Sequence, residues 1–158
     1  MGVIVQPKDP RGYFMLPQAP ADAGYYVYGT PVDGAAQFTA PKLLSLIFAV
    51  EREWQSFDDR KFGIGNISIS NGQKFDHASH TSGLEVDVRP LRKDGKRLPV
   101  TYTEPCYDRD GTAKLIELFR AHAVGSIFIF FNDTKIAGVR PRFKHDNHFH
   151  FQFNQVVK

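Results

Sequence analysis

The segment His148-Phe149-His150-Phe151-Gln152-Phe153 decides the fold. Side chains alternate across a β-strand, so Phe149, Phe151 and Phe153 share one face and His148, His150 and Gln152 the other. The phenylalanines fill a core, which leaves both imidazoles facing out of it into one cleft. A His-x-His pair on a rigid strand presents one or two ligands to a metal ion.

A second segment follows the same logic. Leu84, Val86 and Val88 alternate with Glu85, Asp87 and Arg89, so this strand buries one face and turns Asp87 away from it. Residues 63–70, GIGNISIS, read as a further strand. SIFIFF, 126–131, reads as a fully buried one that Asn132-Asp133 turns. A helix is predicted over about 40–57, with Thr39 as N-cap, Pro41 in the first turn and Leu43, Ile47, Val50 and Trp54 as its apolar stripe. A second is predicted over about 110–123, capped by Asp110, with Leu115, Leu118 and Phe119 inward. Asp94-Gly95 suits a two-residue hairpin turn.

Residues 1–38 are rich in Pro and Gly. They are expected to form loops and short strands packed on the domain through Tyr25, Tyr26 and Tyr28. The expected fold class is α+β, one domain over 1–158, with a central antiparallel sheet flanked by a few helices.

The composition sets limits. The 158 residues suit one domain, and a net charge of +3 is too mild to point to nucleic acid. The only cysteine, Cys106, rules out an intramolecular disulfide or a Cys-based zinc finger. No window approaches the roughly 18 uninterrupted apolar residues of a membrane span. The opening MGVIVQPKDPRGYFML holds only a short apolar run, Gly2 to Val5, which does not read as a secretory leader.

Five of the six histidines fall in two clusters, His77/His80 and His145/His148/His150, while His122 stands apart on the second helix. Thr81, Ser82 and Gly83 form a turn-prone link between His80 and Asp87, which lets His80 swing back toward the carboxylate. Two histidines and a carboxylate with an open position make the ligand set expected of a catalytic zinc.

The string His77-Ala78-Ser79-His80-Thr81-Ser82-Gly83-Leu84-Glu85-Val86-Asp87 resembles the metal signature of the penicillin-insensitive murein endopeptidases, and His148-Phe149-His150 resembles their second signature. The wider group takes in lysostaphin-type endopeptidases and D-Ala-D-Ala metallopeptidases. The resemblance covers about 75–90 and 143–153. It implies that His80, Asp87 and His150 bind one zinc ion and that His148 is the catalytic histidine. His77 and His145 would be further active-site histidines. The implied substrate is bacterial peptidoglycan, cut in its stem peptides and cross-bridges, typically at the D-Ala–diaminopimelate link. Many members carry a cleaved leader and several cysteines, which this chain does not share.

The protein is expected to be a monomer that acts in the periplasm or cell wall on peptidoglycan, without nucleic acid and without membrane insertion. With no leader read in the chain, a secretion system, phage lysis or prior removal of the leader would account for its delivery. A secreted toxin would also meet an immunity or delivery protein.

Several roles stay open. Glu85 shares the face of Asp87 and is either a fallback base or an exposed strand residue. His77 is a transient ligand, a hydrogen bonder to substrate, or a loop residue. His145 and Asp146 either orient His148 or cap the loop before the strand. Asp108 to Asp110 lack the Glu that a calcium loop needs at its twelfth position, where Phe119 stands. Arg89, Arg92, Lys93, Lys96 and Arg97 read as a basic hairpin that protects an edge or meets stem-peptide carboxylates. Three rival functions are an N-acetylmuramoyl-L-alanine amidase, a cupin-like metal-binding domain and a metal-dependent nuclease. The cupin pattern needs a Glu and a further His after His150, and the chain supplies neither.

Overall fold

Alternating sequence becomes paired strand where the apolar face finds a partner layer. The computed structural model describes residues 7–73 and 80–154. Among the described residues seven strands occur in chain order: β1 (Phe14–Met15), β2 (Tyr25–Val27), β3 (Phe38–Thr39), β4 (Phe62–Ile64), β5 (Glu85–Val88), β6 (Ile127–Phe130) and β7 (Phe149–Phe153). Helix α1 (Pro41–Trp54) lies between β3 and β4, and α2 (Arg109–His122) between β5 and β6. β1 and β3 form an antiparallel pair, and the other five strands form one sheet in the order β2-β4-β5-β7-β6. The architecture is α+β. The sheet is antiparallel from β4 to β6, and β2 joins its edge parallel to β4.

Both helices cover the face of the sheet that carries the β7 phenylalanines. Phe119 of α2 packs 5.7 Å from Phe149 and 5.4 Å from Phe151, and Trp54 of α1 meets Phe62 edge-on. Leu43, Ile47, Val50, Trp54, Leu115, Leu118 and Phe119 are all buried. Leu16 and Tyr25 belong to the same apolar cluster, so the N-terminal segment is part of the core. The opposite face of the sheet is left for His150 and Asp87.

Several elements differ from the sequence reading. α1 ends at Trp54, and its N-cap is Ala40 without a side-chain bond. Thr39 is not the cap, because β3 pairing turns its hydroxyl to the Gln37 carbonyl at 3.0 Å. α2 is capped by Asp108, which accepts from the Gly111 N–H, and Asp110 lies in its first turn. The strand expected over 63–70 ends at Ile64. Beyond it, Gly65 donates to the Asp87 carbonyl while Asn66 accepts from the Asp87 N–H. Two residues therefore face one, as in a β-bulge. Ile67 and Ser68 then bond to Ala36 and Phe38.

Asp94-Gly95 turns the chain, with Gly95 at φ +69°, but no paired strands flank it; Arg92 makes a single bridge to Tyr107. β6 is not fully buried. It lies at the sheet edge, where only Ile129 of its residues is buried, and Arg140 and Arg142 cover Phe128 and Phe130 on its outer side. Among the described residues no helix is long and apolar enough to cross a membrane.

Candidate metal centre

Strand pairing sets the centre of the site. β5 and β7 are in a register that places Asp87 opposite His150 and Glu85 opposite Gln152. The Asp87 carboxylate approaches His150 Nδ1 at 3.0 Å and His80 Nε2 at 3.3 Å. All three residues are buried, at 8%, 4% and 3% exposure for Asp87, His150 and His80. One ligand atom from each lies within 4.8 Å of the other two. Ligands at zinc bond lengths of about 2.0–2.1 Å around one centre stand roughly 3.3 Å apart. Side-chain rotations that close these distances would bring the set to that spacing. The group formed by His80, Asp87 and His150 could hold a metal ion.

The loop before β5 delivers His80. Its backbone adopts φ 65°, a region that side chains other than glycine seldom occupy, and its N–H donates to Glu85 Oε2 at 2.7 Å. Gly83 at φ +71° completes the return, and its carbonyl accepts the Ala40 N–H. Arg11 donates to the Thr81 carbonyl at 2.7 Å. His80 Nδ1 faces the Ile67 carbonyl at 3.2 Å. A carbonyl only accepts, so Nδ1 carries a hydrogen, and Nε2 is the ring atom that faces Asp87.

His150 is held at both ring nitrogens. Nδ1 meets Asp87, while Nε2 faces Gln152 Oε1 at 3.1 Å and Glu85 Oε1 at 3.4 Å. Burial would lower its pKa, but the bonds to Asp87 and Glu85 outweigh that and raise it to about 9. Burial likewise opposes ionisation of Asp87, yet bonds from His150 and His80 hold its carboxyl far below the usual range. Glu85 is lowered in the same way, against its own burial, by His150 and the His80 N–H.

His148 follows His150's face and opens on the cleft. Its Nε2 lies 3.8 Å from Asp87 Oδ1, and its Nδ1 meets Asn147 Oδ1 at 2.9 Å. The His145 ring lies 4.7 Å from that of His148, with its Nδ1 on the Phe143 carbonyl. Burial lowers the pKa of both rings. Asp146 accepts from Asn132 instead, so Asn147 is the neighbour that fixes His148. His77 lies outside the described residues.

Glu85 is half-buried and bonded to two members of the site, which corrects its reading as an exposed strand residue. His122 pairs with Glu53 between the helices, away from the centre. A cleft of about 330 Å³ opens beside the metal group, lined among others by Tyr28, Asn66, Asp87, Arg89, Asn147 and His148. No protein-family model and no curated protein matches the chain.

Proposed function

We propose that the protein is a zinc-dependent peptidoglycan hydrolase that cuts peptide cross-links of the D-Ala–diaminopimelate type. The observation that carries this reading is the convergence of His80, Asp87 and His150, with His148 beside them at the edge of an open cleft. His80 Nε2, an Asp87 oxygen and His150 Nδ1 would hold the ion. Two nitrogens and one carboxylate suit zinc and leave a position for water or substrate. When bound, zinc supplies a water of pKa about 7 and polarises a carbonyl. The signature-like strings around His80 and His148 direct the choice of substrate.

The chain's own residues divide the remaining work. His148 Nε2 faces the cleft with its Nδ1 hydrogen engaged by Asn147, so it is placed to take a proton from water and return it to the leaving amine. His145, whose tilted ring lies 4.7 Å from it, assists in holding the developing charge. Glu85 and Gln152 hold the far nitrogen of His150 and fix its ring. His77 is proposed as a further active-site histidine on the signature alone. Action on peptidoglycan places the protein in the periplasm or cell wall as a monomer. If it is a secreted toxin, an immunity protein would cover the cleft.

The test is a metal assay joined to a digestion of purified sacculi. Purified protein should carry about one zinc per chain, lost in His80→Ala and Asp87→Ala. His148→Ala should retain the zinc and lose at least 100-fold in rate, in line with the usual contribution of a positioned acid–base group. Mass spectrometry of the products should show cross-linked dimers converted to monomers. Release of intact stem peptides from glycan would instead make the protein an amidase. Full activity in metal-bound His148→Ala would remove that residue from the mechanism.

A further inference from the structure

Most of the arginines near this sheet have acidic or carbonyl partners. Arg11 is paired with Asp9, Arg60 with Asp58 and Asp108, Arg92 with Asp94, and Arg109 with Asp133. Arg89 is different. It follows β5 two residues after Asp87, is half-buried, and lines the same cleft as Asp87 and His148. Among the described residues, no carboxylate lies within ion-pair distance of its guanidinium, and its side-chain N–H groups meet no protein acceptor.

The group is nevertheless held in place. Its guanidinium carbon sits 3.9 Å over the Tyr28 ring. The Tyr28 ring in turn presses on Gly65, where a Cβ would come within 2.6 Å of ring atoms. The Tyr28 N–H bonds to the Ile64 carbonyl and the Arg89 N–H to the Gly63 carbonyl, so both backbones are tied to β4. Arg97 stands 5.8 Å over the neighbouring Tyr26 ring and adds a second positive charge to the same aromatic platform.

A planar guanidinium fixed on an aromatic face, with its donors unspent, matches the two oxygens of a carboxylate. The cleft is at the small end of the roughly 300–1,000 Å³ usual for ligand sites, and Asn147 lines it with an amide group. That size and chemistry suit one or two amino-acid residues better than a glycan strand.

We propose that Arg89, carried on Tyr28, is a subsite for a free carboxylate on the peptide residue next to the bond that is cut. The proposal rests on the peptidase reading for its substrate, but the subsite can be tested apart from it. The zinc-loaded full chain is titrated with N-acetyl-D-alanine and with its amide, following the Arg89 Nε–H and backbone amide resonances of 28–30 and 65–66. The acid should shift these resonances, and the amide should need at least ten-fold more ligand. Arg89→Lys keeps the charge and loses the fork, so it should weaken the acid about three-fold or more. Arg89→Ala should abolish the preference, while Arg120→Ala, on the far helix, should leave it intact.

Equal binding of acid and amide, or an unchanged preference in Arg89→Ala, overturns the subsite. A carboxylate held by the metal alone would give that second result. The kinetic arm compares a cross-linked muropeptide dimer with the same dimer amidated at the diaminopimelate carboxyl. The free acid should have about ten-fold higher kcat/KM, and Arg89→Ala should level the two. If both dimers are cut equally, the subsite falls and the peptidase reading stands. If neither is cut while the acid still binds through Arg89, the peptidase reading falls and the subsite stands.

Discussion

Glu85 brings a carboxylate to a place where it has two tasks. One oxygen accepts the His80 N–H at 2.7 Å and so holds a backbone at φ 65°. The other faces His150 Nε2 at 3.4 Å. On the proposed zinc reading, Glu85 orients two ligands without binding the ion, and loss of such a partner commonly costs 10–100-fold in affinity. Glu85→Ala should therefore weaken zinc binding about ten-fold or more, measured by competition with a chelator. Glu85→Gln should recover part of the loss, since it can still accept from the His80 N–H. Affinity within two-fold of the parent in Glu85→Ala would remove this role. Strand alternation put Glu85 on the correct face. Its burial was not legible, because that depends on a loop folding back from His80 over the strand.

At the level of elements, period-two patterning reads well where one face meets a core. β5 and β7 are such strands, and their buried valines and phenylalanines fix the side on which Asp87 and His150 emerge. Their register follows from neither pattern alone. Helix starts were harder to read, because two adjacent candidates look alike locally. Asp108 and Asp110 can both cap, and Arg60, 48 residues earlier, decides between them by pairing with Asp108 at 2.8 Å. The Leu91 carbonyl also holds the Asp108 N–H. Asp108→Ala should cost about 1–2 kcal/mol, the usual loss for a cap with a partly exposed ion pair. By calorimetry that is a fall in Tm of roughly 2–8 °C for a chain of this size. Asp110→Ala should stay within about 0.5 kcal/mol, as a surface change in the first turn. The reverse order of effects would restore Asp110 as the cap.

Across the whole molecule, the N-terminal segment does more than cover the core. Asp9 has a fully buried side chain whose oxygens accept from Arg11, from the Tyr13 N–H and from the Asn71 N–H. Arg11 extends the network to Ser68, the Ile69 carbonyl and the Thr81 carbonyl. One residue pair thus joins the first strand's approach, the turn after the bulge and the residue that follows His80. Arg11 and Tyr13 lie close by in sequence, but nothing around Asp9 announces the rest, since the other partners of the pair stand 57 to 70 residues away. Burial by itself would raise the Asp9 carboxyl, but the bonds from Arg11, Asn71 and Tyr13 outweigh it and leave the pKa below the ordinary 3.8. A carboxyl depressed in the folded state contributes stability that is fully present above its unfolded pKa and is lost as pH falls through the folded one. Asp9→Asn leaves several of these donors without a full acceptor, so it should destabilise the protein at pH 7 by about 1–3 kcal/mol. The gap between parent and Asp9→Asn should hold steady from pH 7 to about 5 and close as the pH drops below about 4, where the parent carboxyl also protonates. Urea titrations of both proteins across that range measure it. A gap that persists unchanged into strong acid would mean that Asp9 acts by packing and not by its charge. Because Arg11 also holds the Thr81 carbonyl, the same variant should weaken zinc binding along with stability, which ties the distant end of the chain to the ligand it never touches.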